Sequence, residues 1–137
     1  MEIEKFKIDE LREKLYWYNV RVDFLYDGDT ITAMQLDFGF GLTRTIKRGD
    51  GDGIRFYGIN TPEMNTEEGK KLAKRLKVLE GKHVICRSYR DKSGKYGRYL
   101  FELFPEAKLI TGWEEEEGVC INLNQWLLEQ GLAKPMK

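Results

Sequence analysis

The order in which strand-like and helix-like segments follow one another limits the possible folds of this chain most strongly. Runs rich in β-branched and aromatic residues predict three strands at 18–26, 30–38 and 54–59. An amphipathic helix follows, with Asn65 as its N-cap, Glu68 in the capping-box position and Gly81 at its end. Two more strands are predicted near 83–89 and 99–104. A second helix then begins at Asn122 and stops at Gly131.

Five short strands with one helix after the third give the element order of an OB-fold, a Greek-key barrel that often binds oligonucleotides. We therefore predict a mainly β, α+β fold: a five-stranded barrel of this type with two or three helices. A length of 137 residues suits a single domain. We assign residues 16–137 to the barrel. Residues 1–15 form an N-terminal amphipathic segment or arm, because Ile8, Leu11 and Leu15 follow helical spacing.

Composition excludes several classes of protein. A chain that is 41% hydrophobic and 12% aromatic is too apolar for a disordered protein, and no apolar run approaches the roughly 18 residues of a membrane span. The N-terminal sequence lacks the features of a secretory signal, so we expect a cytoplasmic protein without a membrane partner. Cys86 and Cys120 are too few for a four-cysteine zinc site and are expected to be free thiols.

The charge of the chain is balanced overall but unevenly distributed. The formal net charge is zero, so bulk charge does not indicate a nucleic-acid partner. Residues 66–98, however, hold eleven Lys and Arg residues against four Asp and Glu residues, a local balance of +7. This basic stretch either faces an anionic partner or coats the solvated side of the predicted helix.

Three short blocks at strand ends gather residue types suited to phosphodiester chemistry: Asp27–Thr30, Arg55–Glu63 and Lys95–Arg98. Asp29 follows a tight turn and offers a hard anionic oxygen of the kind that Ca²⁺ prefers. Asn60 can add a side-chain oxygen and Thr61 a backbone carbonyl. These residues form the predicted metal site.

The remaining polar residues of the blocks suit water activation and phosphate binding. Glu63 lies just past a proline, so its carboxylate can hold a water instead of the metal and act as a general base. Arg55 and Arg98 carry guanidinium groups that grip phosphate oxygens in pairs and stabilise a phosphodiester transition state. Two simpler interpretations stay open: the aspartates form a turn, and the arginines pair with Asp29 and Glu63 in a purely structural ion network.

The three blocks, in this order and spacing and with the closing sequence of residues 124–134, resemble the staphylococcal nuclease (thermonuclease) family over residues 18–134. The resemblance implies Ca²⁺-dependent hydrolysis of DNA and RNA with little sequence preference, leaving 3′-phosphate ends. It also implies a role for each matching residue. The metal would be lined by Asp29, Asn60 and the Thr61 carbonyl, water would be activated by Glu63, and phosphate would be bound by Arg55 and Arg98.

Further residues match the family in supporting positions. Asp27 fits a role in the turn that aims Asp29. Lys95 and Tyr96 resemble residues that contact the phosphate and base of a bound nucleotide. We expect DNA and RNA as partners, with single strands preferred.

The chain also departs from the family pattern. Asn60 stands where the pattern has an aspartate, so the site loses one negative charge and Ca²⁺ should bind more weakly; Mn²⁺ and Mg²⁺ stay open as alternatives. One alternative function is therefore a noncatalytic OB-fold module that binds nucleic acid through a weakened site. Another is an interaction domain, indicated by the N-terminal segment and the acidic stretch 114–117.

Overall fold

The chain folds into a closed five-stranded β-barrel flanked by helices. The structure, a computed structural model, describes residues 2–47, 54–89, 99–112 and 118–136. Its strands are β1 (Trp17–Asp27), β2 (Thr30–Asp37), β3 (Thr43–Lys47), β4 (Ile54–Phe56), β5 (Ile59–Asn60), β6 (His83–Tyr89), β7 (Tyr99–Phe104) and β8 (Lys134–Pro135). Its helices are α1 (Ile8–Arg12), α2 (Glu67–Leu76), α3 (Ala107–Thr111) and α4 (Leu123–Glu129), with a 3₁₀ turn at Lys77–Leu79.

Strand pairing closes the barrel. β1 pairs with β2 and with β6, β6 pairs with β7, and β4 joins β7 to β2, so the five strands return to their starting point. All of these pairs are antiparallel except β4 with β7, which is parallel. The predicted α+β barrel of the OB-fold type is confirmed.

The barrel interior is filled by apolar side chains from alternate strand positions. Phe56 and Phe101, which face each other across β4 and β7, meet edge to face with ring centroids 4.7 Å apart. α2 buries Leu72 and Leu76 on the same core, and α4 adds Leu127. Burial of these side chains, at about 25 cal/mol for each Å² of apolar surface, is the main stabilising term.

The cap of α2 differs from the sequence prediction. Thr66, rather than Asn65, is the N-cap residue, and its hydroxyl accepts a hydrogen bond from the Gly69 N–H at 3.1 Å. Both residue types cap helices well, so sequence alone does not choose between them. The choice follows from the backbone, because the Thr66 N–H and hydroxyl both donate to the Glu63 carbonyl, at 3.0 and 2.6 Å. The predicted caps at Asn122 and Gly131 are consistent with the structure.

Three short elements were not predicted. β3 extends the barrel sheet beside β2, in a stretch for which no strand was predicted. α3 and β8 are five and two residues long. α1 falls within the predicted N-terminal segment, and every one of its residues is exposed. No helix in the described ranges is both long and apolar enough to cross a membrane.

Candidate functional site

Asp29 lies at the tight turn between β1 and β2 and is almost fully buried, with 5% of its surface exposed. The turn packs closely on α2 through Gly28. A Cβ atom at Gly28 would lie 2.5 Å from Leu72 Cδ2 and 2.9 Å from Thr61 Oγ1, distances that real Cβ atoms do not reach. Glycine at this position therefore allows the turn to carry Asp29 into the fold.

Both carboxylate oxygens of Asp29 accept hydrogen bonds. Oδ2 accepts from Arg55 Nη2 at 3.2 Å and from the Thr61 N–H at 3.0 Å. Oδ1 accepts from the Thr30 hydroxyl at 3.0 Å. Because three donors surround it, the buried carboxylate can keep its charge.

Asn60 joins the same cluster. Its Oδ1 accepts a second hydrogen bond from Arg55 Nη2, at 3.1 Å. The position of Asn60 is set by the pairing of β5 with β8, in which Asn60 lies opposite Lys134. The structure thus brings together the predicted residues Asp29, Arg55, Asn60 and Thr61 from two separate parts of the chain.

Asp27 lies at the start of the same turn and interacts with Asp29 through a hydrogen bond and through its charge. Asp27 Oδ1 accepts a hydrogen bond from the Asp29 N–H at 3.1 Å, so Asp27 contacts the turn that positions Asp29. Burial, followed by the hydrogen bond and charge of Asp29, raises the pKa of Asp27 to about 6. Burial alone would also raise the pKa of Asp29, but the interaction with the protonated Asp27 carboxyl, the hydrogen bond from the Thr61 N–H and the charge of Arg55 hold it below its ordinary value.

Glu63 lies on the loop between β5 and α2 with an exposed side chain. It lines a cleft of about 320 Å³ together with Asn60, Thr61 and Pro62 on one side and residues 131–134 on the other. The backbone of Glu63 is fixed by Thr66, as described above, and by contact with Gly69. A group in this cleft can meet solvent water and a ligand together, as a general base requires.

The structure does not describe every predicted site residue. Lys95, Tyr96 and Arg98 lie outside the described residues, as does the whole of the acidic stretch 114–117. The predicted pairing of Arg55 with Asp29 is present, which is the geometry that the structural ion-network interpretation requires. His83, the single histidine, is exposed at the start of β6.

Three contributors to the site were missed from the sequence. Thr30 bonds to Asp29, and its place inside the Asp27–Thr30 block was a usable signal. Gly69 lies under the Glu63 carbonyl, and a glycine in the first turn of a helix is itself a sign of close packing. Lys134 faces Asn60 across the β5–β8 pair, a contact between distant segments that no local pattern predicts.

The residues of the cluster suit a divalent cation in chemical type. Carboxylate, amide and carbonyl oxygens are the ligands that Ca²⁺ prefers. Thr61 Oγ1 is a further oxygen, buried beside Gly28 without a hydrogen-bond partner among the described residues. Within those residues no group of three or more His, Cys, Asp and Glu side chains is arranged to hold a metal. A cation here would therefore depend on Asn60 and backbone oxygens, and Arg55 would compete with it for Asp29.

Comparison with known proteins adds no assignment. No protein-family model matches the chain, and no curated protein matches its sequence.

Proposed function

We propose that this chain is a Ca²⁺-dependent nuclease that hydrolyses phosphodiester bonds of DNA and RNA with little sequence preference and leaves 3′-phosphate ends. The observation that carries the proposal is that Arg55 Nη2 donates hydrogen bonds both to Asp29 Oδ2, at 3.2 Å, and to Asn60 Oδ1, at 3.1 Å. The three side chains therefore lie together in one cluster. Anionic and amide oxygens beside a guanidinium group suit a phosphate that is bound together with a cation.

The proposed metal ligands are Asp29, Asn60 and the Thr61 carbonyl. A bound cation would neutralise negative charge on the phosphoryl oxygens. Arg55 would bind the same phosphate: both of its hydrogen bonds in the cluster leave from Nη2, so Nε and Nη1 have no hydrogen bond to the described residues. Those groups can donate to phosphate oxygens and stabilise the charge of the transition state. Arg98 would bind the phosphate together with Arg55, as the resemblance to the staphylococcal nuclease family implies.

Glu63 would accept a proton from the attacking water. The water oxygen forms a bond to phosphorus, the bond from phosphorus to the 5′-oxygen breaks, and the 5′-oxygen takes a proton from solvent. The products are a 3′-phosphate and a 5′-hydroxyl. The exposed position of Glu63 beside Asn60 and Thr61 supports this role, because the water must reach both the carboxylate and the bound phosphate.

The first test is cleavage of single-stranded DNA and of RNA by the purified protein, with Ca²⁺ and with chelator. We expect cleavage that requires the cation and is lost in Glu63→Gln. Glu68→Gln is the matched control, because Glu68 is an exposed glutamate on the adjacent helix turn and its substitution removes the same charge. Absence of cleavage at every Ca²⁺ concentration, or equal cleavage by Glu63→Gln, would contradict the proposal.

A second candidate function is nucleic-acid binding without catalysis. Arg55 occupies oxygens of both Asp29 and Asn60, and Asn60 carries no charge, so the cluster can be a self-contained ion network. Under this alternative the protein binds single-stranded DNA equally well with Ca²⁺ and with chelator, and it cleaves in neither condition.

A further inference from the structure

Four side chains form a continuous stack on the outer surface of the barrel. The rings of Tyr57 and Tyr89 are nearly parallel, 11° apart, with centroids separated by 4.1 Å. The Arg87 guanidinium lies over Tyr89 at 5.2 Å and over Trp17 at 5.4 Å. The stack therefore runs in the order Tyr57, Tyr89, Arg87, Trp17, and the inner members have neighbours on both sides. Tyr57, at one end, stays 44% exposed.

Strand register connects this stack to the candidate site. Arg55 lies opposite Leu100 across β4 and β7, and Leu100 lies opposite Tyr89 across β7 and β6. Paired residues of neighbouring strands share a sheet face. Since Phe56 points into the barrel, Arg55 and Tyr89 both lie on the outer face. Arg55 and Tyr89 are two strand spacings apart, about 10 Å. Tyr57 follows Arg55 by two residues along the chain and therefore lies near it.

We propose that Tyr57 stacks on a base of a single-stranded nucleic acid whose phosphate is bound by Arg55. This inference rests on the proposed function and deepens it, because it names the unpaired base next to the bound phosphate as the recognised group. Base stacking on aromatic rings is tolerant of sequence, since every base has a π-face. A base paired within a duplex does not offer that face, so the stack selects single strands.

Tyr89, the ring beneath Tyr57, is itself held in a fixed orientation. The Tyr89 hydroxyl donates to Glu102, which also accepts from Asn122, so the Tyr89 ring is fixed on the barrel. A fixed ring under Tyr57 reduces the conformational freedom lost when a base binds.

The experiment measures binding in chelator, so that cleavage does not contribute. Fluorescence anisotropy compares a labelled oligothymidylate with an abasic strand of the same length, which keeps the phosphates and lacks the bases. We expect Tyr57→Leu to weaken binding of the oligothymidylate about tenfold, within the range for one stacked base. Binding of the abasic strand should not change. Tyr57→Phe keeps the ring and should bind both strands as the original protein does.

The control variant is Phe40→Leu, which removes a fully exposed ring at the turn between β2 and β3. It should leave both affinities unchanged, and thermal unfolding should show that each variant is folded. Equal weakening of both strands by Tyr57→Leu, no weakening of either, or failure of the unmodified protein to prefer the strand with bases would overturn the inference. None of these outcomes decides the nuclease proposal, which the separate cleavage assay with Glu63→Gln tests.

Discussion

Substitution of Gly69 by alanine sets two physical effects against each other. Gly69 lies in the first turn of α2, where alanine is intrinsically the better helix former by up to about 1 kcal/mol. A Cβ atom at this position, however, would lie 2.0 Å from the Glu63 carbonyl oxygen and 2.8 Å from the Pro62 carbonyl oxygen. Both are backbone atoms, so no side-chain rotation relieves the contact.

The steric effect should prevail. Overpacking in closely packed regions costs about 1–3 kcal/mol, and a contact with fixed backbone belongs at the upper end of that range. After subtraction of the gain in helix propensity, we expect Gly69→Ala to lower the free energy of unfolding by about 2 kcal/mol. At about 4 °C for each kcal/mol in a domain of this size, the melting temperature should fall by about 8 °C.

Urea unfolding followed by circular dichroism measures this change directly. Lys70→Ala is the matched control, since Lys70 is the next residue of α2 and is exposed; we expect it to stay within about 0.5 kcal/mol of the original protein. Because the displaced atoms belong to Glu63, cleavage by Gly69→Ala should also fall under native conditions. An increase in stability of about 1 kcal/mol, as helix propensity alone predicts, would refute the reasoning.

Further predictions concern pH, capping and thiol chemistry. Folding raises the pKa of Asp27 from 3.8 to about 6, so the folded protein favours the protonated carboxyl. The free energy of unfolding that this preference contributes is fully present below pH 3.8 and is lost as the pH rises through about 6. Asp27→Asn should therefore stabilise the metal-free protein at pH 8, by about 1–2 kcal/mol after allowance for solvent screening, and thermal melts at pH 3.5 should show little difference. Thr66→Ala removes the cap of α2 and should cost about 1 kcal/mol in urea unfolding. A thiol reagent should modify Cys120 in the native protein and reach Cys86 only after denaturation, because Cys86 is buried and its pKa is raised to about 12.

The fold was predictable where side-chain alternation matches burial. Val20 and Val22 in β1 face the core while their neighbours do not, and this pattern identifies a strand without further information. β3 has one half-buried residue, Ile46, among exposed ones, so its sequence lacks the alternation of apolar and polar residues that identifies a half-buried strand. α3 buries only Ala107 and Ile110, and five residues are too few to establish a helical period.

Within the site, residue types were easier to predict than their partners. The oxygen donors Asp29 and Asn60 follow from the turn and strand-end motifs. That Arg55 donates to both depends on how deeply Asp29 is buried, which is a property of the whole barrel. The stack under Tyr57 requires the register of three strand pairs among β1, β4, β6 and β7, which sequence patterns do not give.

The short pairing of β5 with β8 joins segments that are far apart in the chain. Besides the hydrogen bond from Arg55, this pairing holds Asn60 in place, and it forms only after residues 134 and 135 have been synthesised and have reached the barrel. A partly made or proteolytically clipped chain would still contain the aspartate and arginine motifs, but the loop that carries Asn60 would have more freedom to move. The arrangement of Asn60 beside Asp29 and Arg55 should therefore report completion of folding, and the site should be among the last parts of the protein to form and the first to be lost.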